Sequence, residues 1–528
     1  MSICEIVTGY LGIDIGTQGL SVTLTDEQLK VIATGDATYN FVACLDDGCY
    51  EQRCDDWDHA VTEAMKSLRE KVSPRTISVL SIGIAGQMHG EVLANEACEP
   101  IQPVRLWCDA RNEDEGHELT NLFKYKVPKR ATAARFLWTT RNRIDVAVQT
   151  AHITTPAGWM AYRLTGEFTL GVGDAAGMFP INSETLDYDA KKIKKFDSLV
   201  NNSAVPNLMS LLPKIRRVGE DAGILTEKGA AILGIDASQV GIPVAAAEGD
   251  QVAALAGSLI GSAGTMSCCF GTSVCANIVG DRAFEGVSAA VDHFCAADGK
   301  PINMVWLRNG TTYLSTVVKS YSWDTDELHV DSSNSPDTFT RIMQLLVQSP
   351  DDCGGLLSLP FMDDEPGLGV ASGGSALIVG WNPGNSKVGN IAKAALLSTM
   401  FNLRIGCNIL VDQGFPRTEI VLTGGLSKTI ECGQILSNVF DAPVTLLASA
   451  DEGCAWGAAV IAKYRYLRAS NHMYETKWET FLDSIASGVE KHQFFPDPIA
   501  VAIYNEMFDR YKRLMTLVPE LRHAISHI

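Results

Sequence analysis

The chain has 528 residues, 46% hydrophobic and 20% charged, with a formal net charge of −19. This length exceeds one ordinary core and predicts two domains, and the acidic balance weighs against nonspecific binding to nucleic acid or acidic membranes. No run reaches the roughly 18 apolar residues that span a bilayer, no basic segment leads into an apolar leader, and the 14 cysteines are scattered without a Cys-x-x-Cys pair. A reducing, cytoplasmic compartment is therefore expected, and the ten histidines show no ligand spacing for zinc.

The first element in chain order is a hairpin. Residues 10–15 and 20–24 are apolar and β-branched enough for strands, and Gly16, Thr17, Gln18 and Gly19 follow Asp14 in the turn. The glycines let backbone N–H groups point at an anion, and Asp14 could hold Mg²⁺ beside it, directly or through water. An ordinary hairpin fits these residues equally well. Residues 266–275 repeat the pattern, with Gly271-Thr272 in register with Gly16-Thr17, and a third buried-strand run ends in Thr423-Gly424-Gly425. Together these segments resemble the actin-like (ribonuclease H-like) ATPase superfold, an α/β architecture of two duplicated domains with a nucleotide in the interdomain cleft. The resemblance implies ATP, phosphates held by Thr17, Gln18, Gly271, Thr272 and Ser273, and close backbone approach to adenosine at Gly424 and Gly425.

Between the hairpins, Trp57, Val61, Ala64, Met65 and Leu68 mark one face of a helix, and residues 78–84 read as a strand. Gly86-Gln87-Met88-His89-Gly90 follows. Polar residues at the end of a buried strand stand where open α/β sheets bind ligands, although a lone histidine also reads as a satisfied core residue. This segment closely resembles the sugar-binding segment of xylulokinases within the FGGY carbohydrate kinase family, which implies that Gln87, Met88 and His89 contact a ketose. Trp107-Cys108-Asp109-Ala110-Arg111 resembles the family's Trp-x-Asp-x-Arg; Asp109 and Arg111 either line the sugar pocket or form a structural ion pair. Cys108 stands where many members carry asparagine, and Arg135 where they carry lysine. Residues 153–164 read as a helix and 171–179 as a small-residue loop.

Residues 242–247 form a small apolar run that delivers Glu248-Gly249-Asp250 to a helix predicted over 252–259. Asp250 either caps that helix or, as the resemblance implies, acts as general base on the sugar. Downstream, residues 321–336 read as a polar surface loop. Glu365-Pro366 stands where the family has Gly-Glu-Arg-x-Pro, without the arginine, and residues 451–459 resemble its final small-residue helix. The expected division is 1–262 for the domain with the sugar site, 263–480 for the domain with the nucleotide site, and 481–528 for a helix returning to the first domain. The expected activity is ATP-dependent, Mg²⁺-assisted phosphorylation of D-xylulose to D-xylulose 5-phosphate, with another ketose or polyol (ribulose, sedoheptulose, glycerol) as alternative. An actin-like chaperone or filament protein is the rival from another class. No nucleic-acid or membrane partner is expected, and a homodimer stays open.

Overall fold

The computed structural model describes residues 6–320, 338–448, 453–470 and 475–525. The loop expected at 321–336 lies outside them, as do Asp451 and Glu452.

Two sheets repeat one topology. In the first, Ile6–Ile15, Gly19–Asp26 and Val31–Thr38 form an antiparallel meander, and Thr76–Gly86 then Glu248–Gly249 add in parallel on the other side of Ile6–Ile15. In the second, Thr265–Phe270, Val274–Val279 and Pro301–Leu307 form the meander, and Glu419–Gly424 then Val444–Leu447 add in parallel. Val291–Cys295 and Lys491–Phe494 extend the edges of this second sheet. The equivalence reaches single residues: Ile15 pairs with Gly86 at the end of one parallel ladder, and Phe270 with Gly424 at the end of the other. Duplicated α/β domains are thus written into the register.

Strand residues Leu11, Ile13 and Ile15 are fully buried because helices cover the first sheet. Cys54–Val72 lays Trp57, Val61, Ala64, Met65 and Leu68 against it, the i, i+3, i+4 spacing of an amphipathic helix. Val388–Asp412 is long and apolar enough to cross a membrane by composition, yet 72% of its apolar window is buried. It is the core helix of the second domain, packed against Thr338–Gln348 and the short strand Leu357–Leu359.

Two expectations are corrected locally. Residues 171–179 hold a helix, Val172–Met178, rather than a loop. The helix expected from 153 starts later, as Pro156–Thr165, after a strand at His152–Thr154. Thr155 accepts from the Gly158 N–H as its cap, and the missing N–H of Pro156 suits a first helical position.

The C-terminal helix does not return to the first domain. Pro498–Met515 packs on the second-domain core through Tyr504, Phe508 and Tyr511. Tyr504 donates to Asp351 at 2.7 Å and Tyr511 to Asn402 at 2.6 Å. The return is made earlier, by Gly453–Ala469, which lies against Ile6–Ile15 and Thr76–Gly86 of the first sheet. Only glycine admits that approach: a Cβ on Gly12 would stand 1.8 Å from the Ala455 carbonyl oxygen, and one on Gly83 1.9 Å from that of Ala458. The aromatic spacing of the last helix announces a buried face without saying which core receives it.

Candidate functional site

A cavity of about 250 Å³ lies between the domains, lined by His89, Trp107, Arg130 and Asp250 from the first and by Ser273, Asp292 and Trp306 from the second. Ligand pockets run from about 300 Å³ upward, so this one suits a small molecule.

Asp250 is the first residue of the helix Asp250–Gly257, with Gly249 at the cap. Its Oδ1 accepts the Gln251 N–H at 2.7 Å, and the residue lines the cavity. Burial pushes the carboxyl up to about 6, against the opposing pull of the Gln251 N–H and Arg130. Behind it Asp174 accepts from the Thr155 hydroxyl at 2.6 Å and is pushed up to about 7 by burial. Glu248 accepts the Asp174 N–H at 2.8 Å and is held well above its ordinary value, mainly by burial. A carboxylate poised near 6 can take a proton at neutral pH.

His89 has φ 70°, a left-handed conformation that costs a non-glycine residue about 1–2 kcal/mol. Its carbonyl is fixed by the Thr132 hydroxyl at 3.1 Å and by Arg135 at 3.1 Å. Ring Nδ1 lies 2.8 Å from the Gly177 carbonyl. A carbonyl only accepts, so Nδ1 carries the proton and Nε2 keeps a lone pair. Burial, then the charge of Arg130, lowers the imidazole to about 3. A neutral ring with a free acceptor is suited to a hydroxyl donor. Met88 lines the same cavity.

Three other expected sugar residues do not line it. Gln87 is buried, donates to Gln52 at 2.9 Å and to the Gly16 carbonyl at 3.3 Å, and accepts from Thr17 at 3.3 Å. Its amide ties the strand end to the first hairpin. Asp109 is fully buried, accepting from Arg111 at 2.6 Å and from the Tyr50 N–H at 3.0 Å, while Arg111 also meets Glu51 at 2.6 Å. These two form the structural ion pair. The cavity residue of that motif is Trp107, whose Nε1 donates to the Thr17 hydroxyl at 3.0 Å. Sequence reasoning also missed Lys126, Arg130 and Asp292. Asp292 pairs with Lys126 at 2.7 Å and with Arg130, so the halves are bound to each other at the cavity wall. An acid alternating with apolar residues in Val291–Cys295 was the available signal.

The two turns leave N–H groups free. In the first, Tyr39 donates to the Gly16 carbonyl at 2.5 Å and Gln52 to that of Thr17 at 2.7 Å. In the second, the Gly310 N–H reaches the Thr272 carbonyl at 3.1 Å and the Thr311 hydroxyl that of Gly271 at 2.7 Å. Those contacts consume carbonyls, while the N–H groups of Thr17, Gln18, Thr272 and Ser273 find no partner among the described residues; such groups form anion cradles. Gln18 is otherwise exposed. Glu365 accepts from the Asn309 backbone at 3.0 Å and side chain at 3.1 Å, which fixes the Asn309-Gly310 turn without the family's arginine. Gly424 has φ 78°, and a Cβ there would meet the Phe270 carbonyl oxygen at 2.7 Å; a Cβ on Gly425 would lie 3.7 Å from the same oxygen, an ordinary contact.

Asp14 Oδ1 is buried without a hydrogen-bond partner among the described residues, and burial with the charge of Asp250 pushes its carboxyl up to about 7. A divalent cation would supply the absent partner. No three protein ligands converge among the described residues, which suits Mg²⁺, an ion held by one or two carboxylates with water and phosphate.

The N-terminal domain model of the FGGY family of carbohydrate kinases matches residues 9–257 and the C-terminal domain model residues 266–466. A xylulose kinase from Haemophilus influenzae is 25% identical over 95% of this chain and 98% of its own. The solved xylulose kinase from Rhodospirillum rubrum superposes with a TM-score of 0.81 at 19% identity, over 97% of this chain and 99% of that one. Gluconate kinase from Lactobacillus acidophilus superposes at 0.78 and 18%, over 97% and 98%. Matched in both halves and in order, the chain belongs to the FGGY family of carbohydrate kinases and is a xylulokinase-like member of it.

Proposed function

We propose that this carbohydrate kinase transfers the γ-phosphoryl group of ATP to the terminal hydroxyl of a ketose, D-xylulose first among candidates. Residues 1–262 carry the sugar side and 263–480 the nucleotide side. The observation that carries the reading is Asp250, whose raised carboxyl shares a small interdomain cavity with the neutral His89.

Phosphoryl transfer asks a protein for an oriented hydroxyl, charge neutralisation and exclusion of water. His89 Nε2 accepts from a sugar hydroxyl and the Met88 backbone flanks it. Asp250 takes the proton of the attacking hydroxyl, a contribution of roughly 10²- to 10⁴-fold. The free N–H groups of Thr17, Gln18, Thr272 and Ser273 hold phosphate oxygens, and Gly424 and Gly425 give the nucleotide room. Asp14 would hold Mg²⁺, which when bound supplies neutralisation of phosphate charge.

Charge supports a neutral sugar over an acid. Lys126 and Arg130 are the cavity's cations, and Asp292 and Asp250 its two carboxylates, so no surplus cation awaits a substrate carboxylate. Coupled ADP release across ketoses, polyols and aldonates tests this. Selective turnover of D-xylulose supports the reading; turnover of a different sugar overturns the substrate, and none with any sugar overturns the site.

A further inference from the structure

The second hairpin differs from the first at one pair of positions. In the first, Asp14 faces Ser21 across the ladder; counted from the turn, the same positions in the second hold Cys269 and Cys275, directly opposed. Opposed residues of an antiparallel ladder share a face, with Cα atoms about 4.5–5.5 Å apart, inside the roughly 4.4–6.8 Å a disulfide spans. Neighbours Cys268, Phe270, Val274 and Ala276 point into the core, which leaves Cys269 and Cys275 half-buried on the opposite face. There Cys275 Sγ lies 3.9 Å from Gln251 Oε1, on the residue after Asp250. A third thiol, Cys454, donates to the Asp250 carbonyl at 3.4 Å.

The opposed thiols are unequal. A hydrogen bond from Cys275, helped by Thr423, lowers Cys269 from its ordinary value, whereas that same contact and burial raise Cys275. Cys269 is the more readily ionised of the two and Cys275 the one that holds its proton longer, the division between an attacking and a resolving cysteine.

We infer that Cys269 and Cys275 are a peroxide-oxidised thiol pair whose disulfide disables the second phosphate turn. The Cys269 thiolate attacks one oxygen of hydrogen peroxide, the O–O bond breaks, and hydroxide leaves, giving a sulfenic acid. Cys275 sulfur then attacks Cys269 sulfur, and its proton departs with the sulfenic oxygen as water. Both sulfurs are oxidised by one electron each and the peroxide is reduced by two. The new bond takes the Cys275 thiol from Gln251 Oε1, leaving that oxygen only the Asn277 Nδ2 donor at 3.1 Å, and pins the strands immediately behind Gly271–Ser273. Its effect on turnover rests on the proposed function; formation of the bond does not.

The full chain is treated with stoichiometric hydrogen peroxide, alkylated, digested and mapped by mass spectrometry. The expected product is a Cys269–Cys275 cross-link, with sugar-dependent ADP release and ATP affinity by calorimetry each lowered at least about tenfold and restored by dithiothreitol. Cys275→Ser is expected to form no cross-link and to leave Cys269 as a sulfenic acid trapped by dimedone. An unmodified Cys269, a cross-link to Cys454 instead, or a Cys269–Cys275 link that leaves ATP affinity unchanged each overturns the inference. The mass and calorimetric readouts need no sugar, so absent turnover would overturn the proposed function separately.

Discussion

Arg130 of the first domain is ion-paired with Asp292 of the second. Lys126 meets the other oxygen of the same carboxylate at 2.7 Å, so one acid neutralises two largely buried cations and joins the halves. Asp292→Asn leaves both cations without it. The variant should lose about 3 kcal/mol of stability, read by denaturant melts. It should also bind gluconate about tenfold better relative to D-xylulose, read as competition constants. An unchanged ratio would show that Asp292 does not set the charge preference.

Asp250→Asn keeps the shape of the cavity and removes the proton acceptor. Turnover should fall roughly 10²- to 10⁴-fold while ATP affinity by calorimetry stays near wild type, because the loss belongs to the chemical step. Wild-type turnover would leave Asp250 with only its contact to the Gln251 N–H.

His89→Gln should raise the sugar KM more than the ATP KM. It also carries a pH signature. Folding holds His89 at about 3, so the unfolded chain, near 6.5, binds protons first as pH falls. The stabilisation present above about pH 6.5 is lost on the way down to the folded value, by at most about 1.4 kcal/mol per pH unit. Asp14, Asp174 and Asp250 are raised and act with the opposite sign, so the comparison is by difference. Wild type should lose stability relative to His89→Gln between about pH 7 and about pH 5. Parallel curves would mean that His89 is not held neutral.

Asp109→Asn separates a structural pair from a sugar contact. Arg111 would keep Glu51 but lose its main partner, and the melt should move down by about 1–3 kcal/mol with the sugar KM unchanged. A raised KM at unchanged stability would return Asp109 to the pocket.

The parts of this molecule legible in the sequence are those where backbone geometry selects residue type. Gly16-Thr17 and Gly271-Thr272 could be aligned because both turns need small residues after a buried strand, and the duplicated topology followed. Resemblance to the family's Gly-Gln-Met-His-Gly and Gly-Asp segments led to Met88, His89 and Asp250, which line one cavity. It could not say which of Trp107, Asp109 and Arg111 faces inward, since a side chain's direction at a loop depends on partners such as Tyr50 and Glu51. Asp292 was invisible for a related reason: it is one acid on an edge strand, and its meaning comes from two cations more than 160 residues earlier in the chain.

The helix Gly453–Ala469 follows the whole second sheet in the chain yet packs its alanines onto Gly12 and Gly83. The duplicated halves are therefore not independent cassettes. A fragment cut near residue 262 would keep every strand of the first sheet and still expose the groove built for Ala455 and Ala458. Such a fragment should precipitate alone and become soluble when the remainder is co-expressed, because what completes its fold is carried on the other piece.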